Sequence, residues 1–188
     1  MFTAPQVVGL LQELSFTHVV TIPDSTLGQW EDDLKACDEI EYVGVCREGE
    51  AWAVAAGLYV GGATPLVMIQ CTGLFESGDS LRNALFDYRL PLFAVIGYRS
   101  FLNQSTLPGD TCLTFTEPIL EAWGMDWVLY DQAENTSEQL EAIAAHCLRC
   151  REAGTPGWRW SPRGELSHAT AWNAAGRIVE RAPGNPWR

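Results

Sequence analysis

Short apolar runs alternate with segments of helical periodicity along most of this chain. The clearest run is Leu66 to Ile69, which is apolar at every position and lacks the polar alternation of a strand with one solvated face. Other strand-like runs are His18 to Ile22, Ile40 to Val45, Leu92 to Ile96 and Trp127 to Leu129. Strands that are apolar on both faces are typical of a parallel sheet covered by helices on both sides. The alternation therefore predicts an α/β fold with a doubly wound, mostly parallel sheet.

Helices are predicted between these runs. The first follows Thr3, an N-cap residue, and has Pro5 in its first turn. The remaining predicted helices are Leu27 to Ala36, Glu48 to Val60, Ser80 to Asp87, Glu117 to Trp123 and Thr136 to Cys150. The loops that leave the carboxyl ends of parallel strands gather at one edge of the sheet, where ligands usually bind. The loops after the first four strands are therefore the candidates for a site.

Length and charge restrict the class of protein. A chain of 188 residues suits one domain with a sizeable core, which we place at residues 1–166, with a flexible or docking tail at 167–188. The 24 acidic against 12 basic residues give a formal net charge of -12, which disfavours nucleic acid and anionic membrane surfaces as partners. The N-terminus has no basic stretch ahead of an apolar run, and no apolar segment reaches the roughly 20 residues of a bilayer crossing. We therefore expect a cytoplasmic protein.

The six cysteines are scattered, and several lie in apolar runs where a reduced thiol packs as a small hydrophobe. Cys147 and Cys150 form a C-x-x-C pair beside His146, but helical periodicity surrounds the pair and no second pair accompanies it. Packing is therefore favoured over metal binding or redox chemistry. We predict no disulfide framework and no metal-binding residue on this chain.

A carboxylate stands at the junction of the second strand and the helix that follows it. Glu48 comes shortly after Val45, and small residues such as Ala51 and Ala55 follow it, so that the helix can lie close to a neighbour. A glutamate in the first turn commonly does no more than complement the helix dipole, which contributes about 0.3–1 kcal/mol. Spacing alone favours that structural interpretation.

Five segments in register change this interpretation. Glu48 to Gly57 reads E-x-x-A-x-x-x-A-A-G, and it resembles the segment that carries the activating glutamate in thiamine-diphosphate enzymes. Ile22 to Ser25 is similar to a V-P-D-S turn, and Pro65 to Leu74 to a strand ending in Q-N-S-G-L. Leu90 to Arg99 and Thr116 to Gly124 are similar to an I-P-L strand ending in W-R-G and to a T-P-x-L-L-E-A-L-G helix. Taken in order, the segments resemble the phosphonopyruvate and sulfopyruvate decarboxylases.

The resemblance spans roughly Ile22 to Leu166 and implies a thiamine-diphosphate-binding fold of the pyrimidine-binding type. In that family one domain binds the aminopyrimidine ring, and a second holds the diphosphate through Mg²⁺ with a G-D-G…N motif. The segments of this chain most similar to that motif are Gly78 to Ser80 and Gly109 to Thr111. Neither follows a clear strand with an asparagine at the expected distance. The resemblance therefore implies a hetero-oligomer in which this chain is the alpha subunit. A diphosphate-binding beta subunit would hold the Mg²⁺ and complete the thiamine diphosphate site.

The resemblance also implies roles for single residues. Glu48 matches the glutamate that hydrogen-bonds the pyrimidine ring and activates the cofactor, while Thr72 and Gly73 match backbone beside that ring. Asp24 matches an acid at the substrate end of the cofactor, where it could handle protons. A turn or an N-cap is the structural alternative for Asp24.

Two further residues are candidate substrate contacts, and two positions depart from the family pattern. Ser25 and Arg99 lie in the loops expected at the ligand edge, although a surface salt bridge is the commoner role of an arginine. Phe75 and Glu76 stand where the family has a glycine and an asparagine. An acid there would tend to repel a phosphonate or a sulfonate.

The implied function is decarboxylation of a phosphonopyruvate-like or sulfopyruvate-like 2-oxoacid to CO₂ and the matching aldehyde. Two alternatives stay open. One is a carboligase subunit, which would use the same cofactor to join the product to another carbonyl compound. The other is a non-catalytic, regulatory homologue in which Glu48 is structural.

Overall fold

A single parallel sheet organises the part of the chain that the computed structural model describes, residues 2–101, 109–129, 135–154 and 157–158. Its strands are β1 (His18–Thr21), β2 (Glu41–Gly44), β3 (Pro65–Gln70), β4 (Phe93–Gly97), β5 (Asp126–Trp127) and β6 (Gly157–Trp158). The strand order is β2-β1-β3-β4-β6-β5, and every neighbouring pair is parallel. The predicted parallel sheet is confirmed.

Helices cover both faces of this sheet. They are α1 (Ala4–Glu13), α2 (Glu31–Lys35), α3 (Glu48–Val60), α4 (Cys71–Glu76), α5 (Gly78–Arg82), α6 (Thr111–Ala122) and α7 (Thr136–Ala153), with a 3-10 turn at Gly28–Trp30 and a π-helical turn at Asn83–Asp87. Buried side chains of α1, α2 and α7 share one core, and those of α3, α4, α5 and α6 share the other. The predicted doubly wound α/β fold is therefore confirmed.

Successive side chains of the central strands point to opposite faces of the sheet, so each strand contributes residues to both cores. Leu66 and Met68 of β3 belong to the core under α1, α2 and α7, whereas Val67 and Ile69 belong to the core under α3 to α6. All four side chains are buried. Complete burial of such a side chain stabilises a fold by about 1.5–3 kcal/mol. The unbroken apolar run in the sequence is thus the signature of a strand with two covered faces.

The structure differs from the predicted elements in several places, among them α6, which begins at Thr111 instead of the predicted Glu117. The helix predicted over Leu27 to Ala36 begins as the 3-10 turn and becomes α-helical only at Glu31. Helix α4 was not predicted, because Cys71–Glu76 directly follows β3 and contains Thr72 and Gly73, which have low helix propensity. The predicted boundary at residue 166 and the tail at 167–188 lie outside the described residues.

Membrane-spanning helices were searched for among the described residues. None of the helices there combines the length and the apolar character that a bilayer crossing requires.

Trp52 joins α3 to the segment that contains α4 and α5. Its indole is fully buried, and Nε1 donates a hydrogen bond of 3.0 Å to Oγ of Ser77, between α4 and α5. The Ser77 hydroxyl in turn donates to the carbonyl of Leu74 at 3.3 Å. These bonds link α3 to the C-terminal end of α4, whose first residues border the site described below.

Replacement of Ser77 tests this link. Ser77→Ala removes the acceptor and leaves a buried indole N–H without it, so we expect the free energy of unfolding to fall by about 1–3 kcal/mol. Urea denaturation measures the change. Ser137→Ala, at an exposed position of α7, is the matched control and should change the stability little. Equal stabilities of the two variants would contradict a structural role for this bond.

Candidate functional site

A cleft of about 250 Å³ opens at the carboxyl edge of the sheet. We call it the switch-point cleft, and its walls are Ile22, Pro23, Asp24, Ser25, Glu48, Ile69, Gln70 and Thr72. These residues follow β1, begin α3, or lie at the end of β3 and the start of α4. The chain moves from β1 to β2 on one side and returns to β3 on the other, so the cleft lies where the direction of winding changes. Ligands of open α/β sheets bind at such points.

The fold brings most of the predicted site residues together. Asp24, Ser25, Glu48 and Thr72 all line the switch-point cleft. Gly73 lies directly behind Glu48. The convergence of four loops at one edge is therefore confirmed for three of them, the loops after β1, β2 and β3.

Arg99 is placed elsewhere. It follows β4, is exposed, and is not among the residues that line the switch-point cleft. A hydrogen bond from Ser100 is the main reason that the pKa of Asp110 lies below its usual value, and the positive charge of Arg99 is a smaller contribution in the same direction. A substrate contact of Arg99 stays a prediction.

The side chain of Glu48 is held against Gly73. Glu48 is the first residue of α3 and is partly buried. A Cβ atom on Gly73 would lie 2.3 Å from Cγ of Glu48 and 2.7 Å from its Oε1, so only glycine fits at position 73 while Glu48 keeps this position. Position 73 therefore requires glycine because of the neighbouring Glu48 side chain. A strand-to-helix turn by itself would not create this contact.

Within the described residues, the carboxylate of Glu48 accepts no hydrogen bond, whereas its neighbour Glu50 does. Oε2 of Glu50 accepts from the backbone N–H of Cys46 at 2.9 Å, which fastens the chain that enters α3. This side-chain bond to a backbone N–H ahead of the helix resembles one half of a capping box. The structural role at this helix start belongs to Glu50, and Glu48 is left to face the switch-point cleft.

A third acid, Glu76 at the end of α4, also meets the start of α3. Its Oε1 accepts from Nε of Arg47 at 3.0 Å, and its Oε2 accepts from the backbone N–H of Gly49 at 2.9 Å. The Arg47 guanidinium and then the Gly49 N–H hold the pKa of Glu76 below its usual value. The charge of Glu76 is thus paired, and the predicted repulsion of an anionic substrate loses much of its basis. Sequence reasoning missed this pairing, since the contact joins positions 29 residues apart.

Asp24, which lines the cleft, uses one carboxylate oxygen for structure and leaves the other without a partner. Oδ1 accepts from the backbone N–H groups of Thr26 and of Leu27, the latter at 3.1 Å. The turn interpretation of Asp24 is therefore confirmed. Oδ2 is buried and has no hydrogen-bond partner among the described residues. Such an atom destabilises the fold by about 1–3 kcal/mol unless a ligand or water donates to it.

Comparisons with known proteins agree with this architecture. No family model matches the chain. The chain is 28% identical over 148 residues to a phosphonopyruvate decarboxylase of Streptomyces viridochromogenes, a match that covers 78% of this chain and 36% of the relative. It is 25% identical over 103 residues to sulfopyruvate decarboxylase subunit alpha of Methanococcus maripaludis, covering 55% of this chain and 62% of the relative. The chain therefore spans less than two thirds of the length of these curated relatives.

Solved structures show the same fold. The thiamine diphosphate-dependent 4-hydroxybenzoylformate decarboxylase of Rhodococcus jostii superposes with a TM-score of 0.61 at 22% identity, over 86% of this chain and 30% of that one. The benzoylformate decarboxylase of Polynucleobacter necessarius gives a TM-score of 0.62 at 21% identity, with the same coverage of both chains. At these identities the likeness establishes the fold, which is the pyrimidine-binding type of α/β fold predicted from the sequence.

A double-mutant cycle tests the contact between Gly73 and Glu48. Gly73→Ala should gain helix propensity, but the new methyl group must displace the Glu48 side chain. In a Glu48→Ala background that obstacle is gone, and Gly73→Ala should stabilise the chain by up to about 1 kcal/mol. We expect a coupling free energy of about 1 kcal/mol or more between the two sites, measured by urea denaturation.

Gly57→Ala is the matched control for this cycle. Gly57 also lies in a helix, and a Cβ there would have no heavy atom within 4 Å. Its effect on stability should be the same in the wild-type chain and in the Glu48→Ala background. A coupling with Glu48 as large as that of Gly73 would show that the contact is not specific.

The ion pair of Arg47 and Glu76 predicts a pH effect. Because the pKa of folded Glu76 is depressed, its stabilising contribution is complete above the pKa of the unfolded chain and is lost as the pH falls through the folded value. A carboxyl carbon NMR titration should show Glu76 titrating below the exposed glutamates. Arg47→Gln should raise the pKa of Glu76, and an unchanged pKa in that variant would contradict the pairing.

Proposed function

We propose that this chain, which is related to the phosphonopyruvate and sulfopyruvate decarboxylases and has the pyrimidine-binding fold, is the alpha subunit of a thiamine-diphosphate-dependent 2-oxoacid decarboxylase. The observation that carries the proposal is the carboxylate of Glu48, which faces the switch-point cleft without a hydrogen-bond partner among the described residues. Two neighbouring acids take the structural roles at the same helix start, so Glu48 is available to a ligand.

The switch-point cleft suits one ring of a larger cofactor. Its volume of about 250 Å³ lies below the roughly 300–1,000 Å³ of pockets that enclose a whole small molecule. The carboxylate of Glu48 offers a hydrogen-bond acceptor to a ring that carries N–H groups. Gly73 keeps the carboxylate of Glu48 close to the cleft floor. These features fit an aminopyrimidine.

The residues of this chain would bind the ring and handle protons. Bound thiamine diphosphate supplies an electron sink for the electrons released when CO₂ leaves a 2-oxoacid. Glu48 would hydrogen-bond a ring nitrogen and share its proton, which activates the cofactor. Oδ2 of Asp24 would accept or return a proton at the substrate end, and the Ser25 hydroxyl would bind the substrate. Thr72 would contact the ring beside Gly73.

The diphosphate and its Mg²⁺ are assigned to a beta subunit. The two segments nearest to a diphosphate motif already have structural roles, since Asp79 lies in α5 and pairs with Arg82 at 2.9 Å, while Asp110 caps α6 by accepting from Cys112 N–H at 2.8 Å. A relative that is itself named a subunit alpha supports the two-chain arrangement.

Helix α3 presents a surface that suits the partner. Its outward residues include Ala53, Gly57 and Val60, and Val60 is 76% exposed. Small and apolar residues allow the close approach of another chain, and the same helix begins at Glu48. We propose that the beta subunit packs against this face and closes the switch-point cleft. The substrate would be a phosphonopyruvate-like or sulfopyruvate-like 2-oxoacid.

Turnover of the assembled enzyme tests the proposal. The chain is purified with candidate beta chains, and CO₂ release from 2-oxoacids is measured with thiamine diphosphate and Mg²⁺. Glu48→Gln should lower turnover by about 100-fold or more, as expected for the loss of an acid–base group. Glu50→Gln is the matched control, because glutamine also serves in a capping interaction, and it should stay near wild type.

The other outcomes of this assay separate the alternatives. Unchanged turnover in Glu48→Gln would refute cofactor activation by Glu48. Turnover by the chain alone would refute the shared site. Product analysis with an added acceptor aldehyde distinguishes decarboxylation from carboligation. Complex formation without turnover for any 2-oxoacid would identify a regulatory homologue.

A further inference from the structure

Three side chains with different metal-binding atoms meet at the far edge of the sheet. Asp126 lies in β5, and His146 and Cys150 lie one turn apart on the same face of α7. Their ligand atoms are all within 4.8 Å of one another. The Cys150 sulfur is 3.8 Å from Oδ2 of Asp126 and 3.7 Å from Nε2 of His146. Among the described residues, this is the cluster whose geometry suits a metal ion.

The cluster is separate from the switch-point cleft. Strands β4 and β6 lie between β3 and β5 in the sheet. Asp126 is in register with Gly157, which pairs with Phe93 at the amino end of β4. The cluster is therefore at the amino edge of the sheet, whereas the cleft is at the carboxyl edge.

Two of the three candidate ligand residues are buried, and the third is exposed. His146 and Cys150 are 3% and 2% exposed, while Asp126 is exposed. A buried imidazole and a buried thiol leave little access from the core side. The exposed carboxylate lies on the side from which an ion and water could reach the cluster.

Two of the three donor separations, those that involve the Cys150 sulfur, are close to the separations in a zinc site. Zn²⁺ binds sulfur at about 2.3 Å and nitrogen or oxygen at about 2.0–2.2 Å, and a tetrahedron with these bonds separates its donor atoms by about 3.3–3.6 Å. The separations of 3.7 and 3.8 Å around the Cys150 sulfur exceed this by a few tenths of an ångström. A mixed set of thiolate, imidazole and carboxylate suits Zn²⁺, whereas Mg²⁺ prefers oxygen ligands.

We propose that Asp126, His146 and Cys150 bind a zinc ion that fastens β5 to α7, with water in the fourth position. The strand β5 has only two residues, so few ladder bonds hold this edge of the sheet, and a metal link would strengthen it. The proposal departs from the sequence prediction that the chain carries no metal-binding residue.

Cobalt binding tests the site directly. The full-length chain without an affinity tag is freed of metal and titrated with Co²⁺, which gives a near-ultraviolet charge-transfer band when a thiolate coordinates it. We expect saturation at one equivalent per chain, displacement by Zn²⁺, and loss of the band in Cys150→Ser. Asp126→Asn should weaken Co²⁺ binding by about 100-fold or more, beyond the loss typical of outer-shell changes.

Two controls keep the test decisive. Cys46→Ser removes an exposed cysteine and should leave the titration unchanged. Because Asp126 is exposed, the Asp126→Asn variant should fold normally. At a saturating Zn²⁺ concentration, the Tm of the wild-type chain should rise by on the order of 5 °C, and the Tm of Asp126→Asn should not rise. Absence of the band at stoichiometric Co²⁺, its survival in Cys150→Ser, or an equal gain in Tm for Asp126→Asn would overturn the proposal.

Discussion

The packing of the Glu48 side chain on the Cα of Gly73 determines how the carboxyl edge of this sheet is built. A side chain at position 73 would occupy the space of the carboxylate, so the starts of α3 and α4 can approach only because one of them carries glycine. Two other contacts hold α3 against the C-terminal end of α4. Trp52 donates to Ser77 in the core, and Gly49 donates to Glu76 at the surface. Together they leave Glu48 little freedom except to face the switch-point cleft.

The acidic residues around the start of α3 have different interaction partners. A helix N-terminus favours negative charge, so an acid there is commonly only structural. Here Glu50 fastens the entering chain, Glu76 pairs with Arg47, and Glu48 keeps its oxygens for the cleft. Asp24 divides its two oxygens in a similar way, with one in the turn and one unpartnered in the cleft wall. The proposed chemistry therefore depends on structural bonds that are made by other groups.

Periodicity in the sequence predicted the architecture well, because the central strands β3 and β4 must be apolar on both faces to fill two cores. It also predicted that the loops after the first strands would converge, since parallel strands deliver their loops to one edge, whereas Asp24, Glu48 and Thr72 were singled out by the family resemblance. It did not reveal that β6 lies between β4 and β5, because a two-residue strand carries almost no pattern. The Arg47–Glu76 pair and the contact of Cys150 with Asp126 were missed for another reason. Each joins residues far apart in the chain, and only packing brings them together.

Proton exchange at the thiazolium carbon of thiamine diphosphate tests the central claim, that Glu48 activates a cofactor whose pyrimidine ring occupies the switch-point cleft. The exchange into deuterated water is measured by NMR on the assembled complex of this chain with the proposed beta subunit, without substrate. Glu48→Gln should slow the exchange by about 10²–10⁴-fold while the cofactor stays bound, and Glu50→Gln should leave it fast. Exchange at the wild-type rate in cofactor-loaded Glu48→Gln would contradict the account.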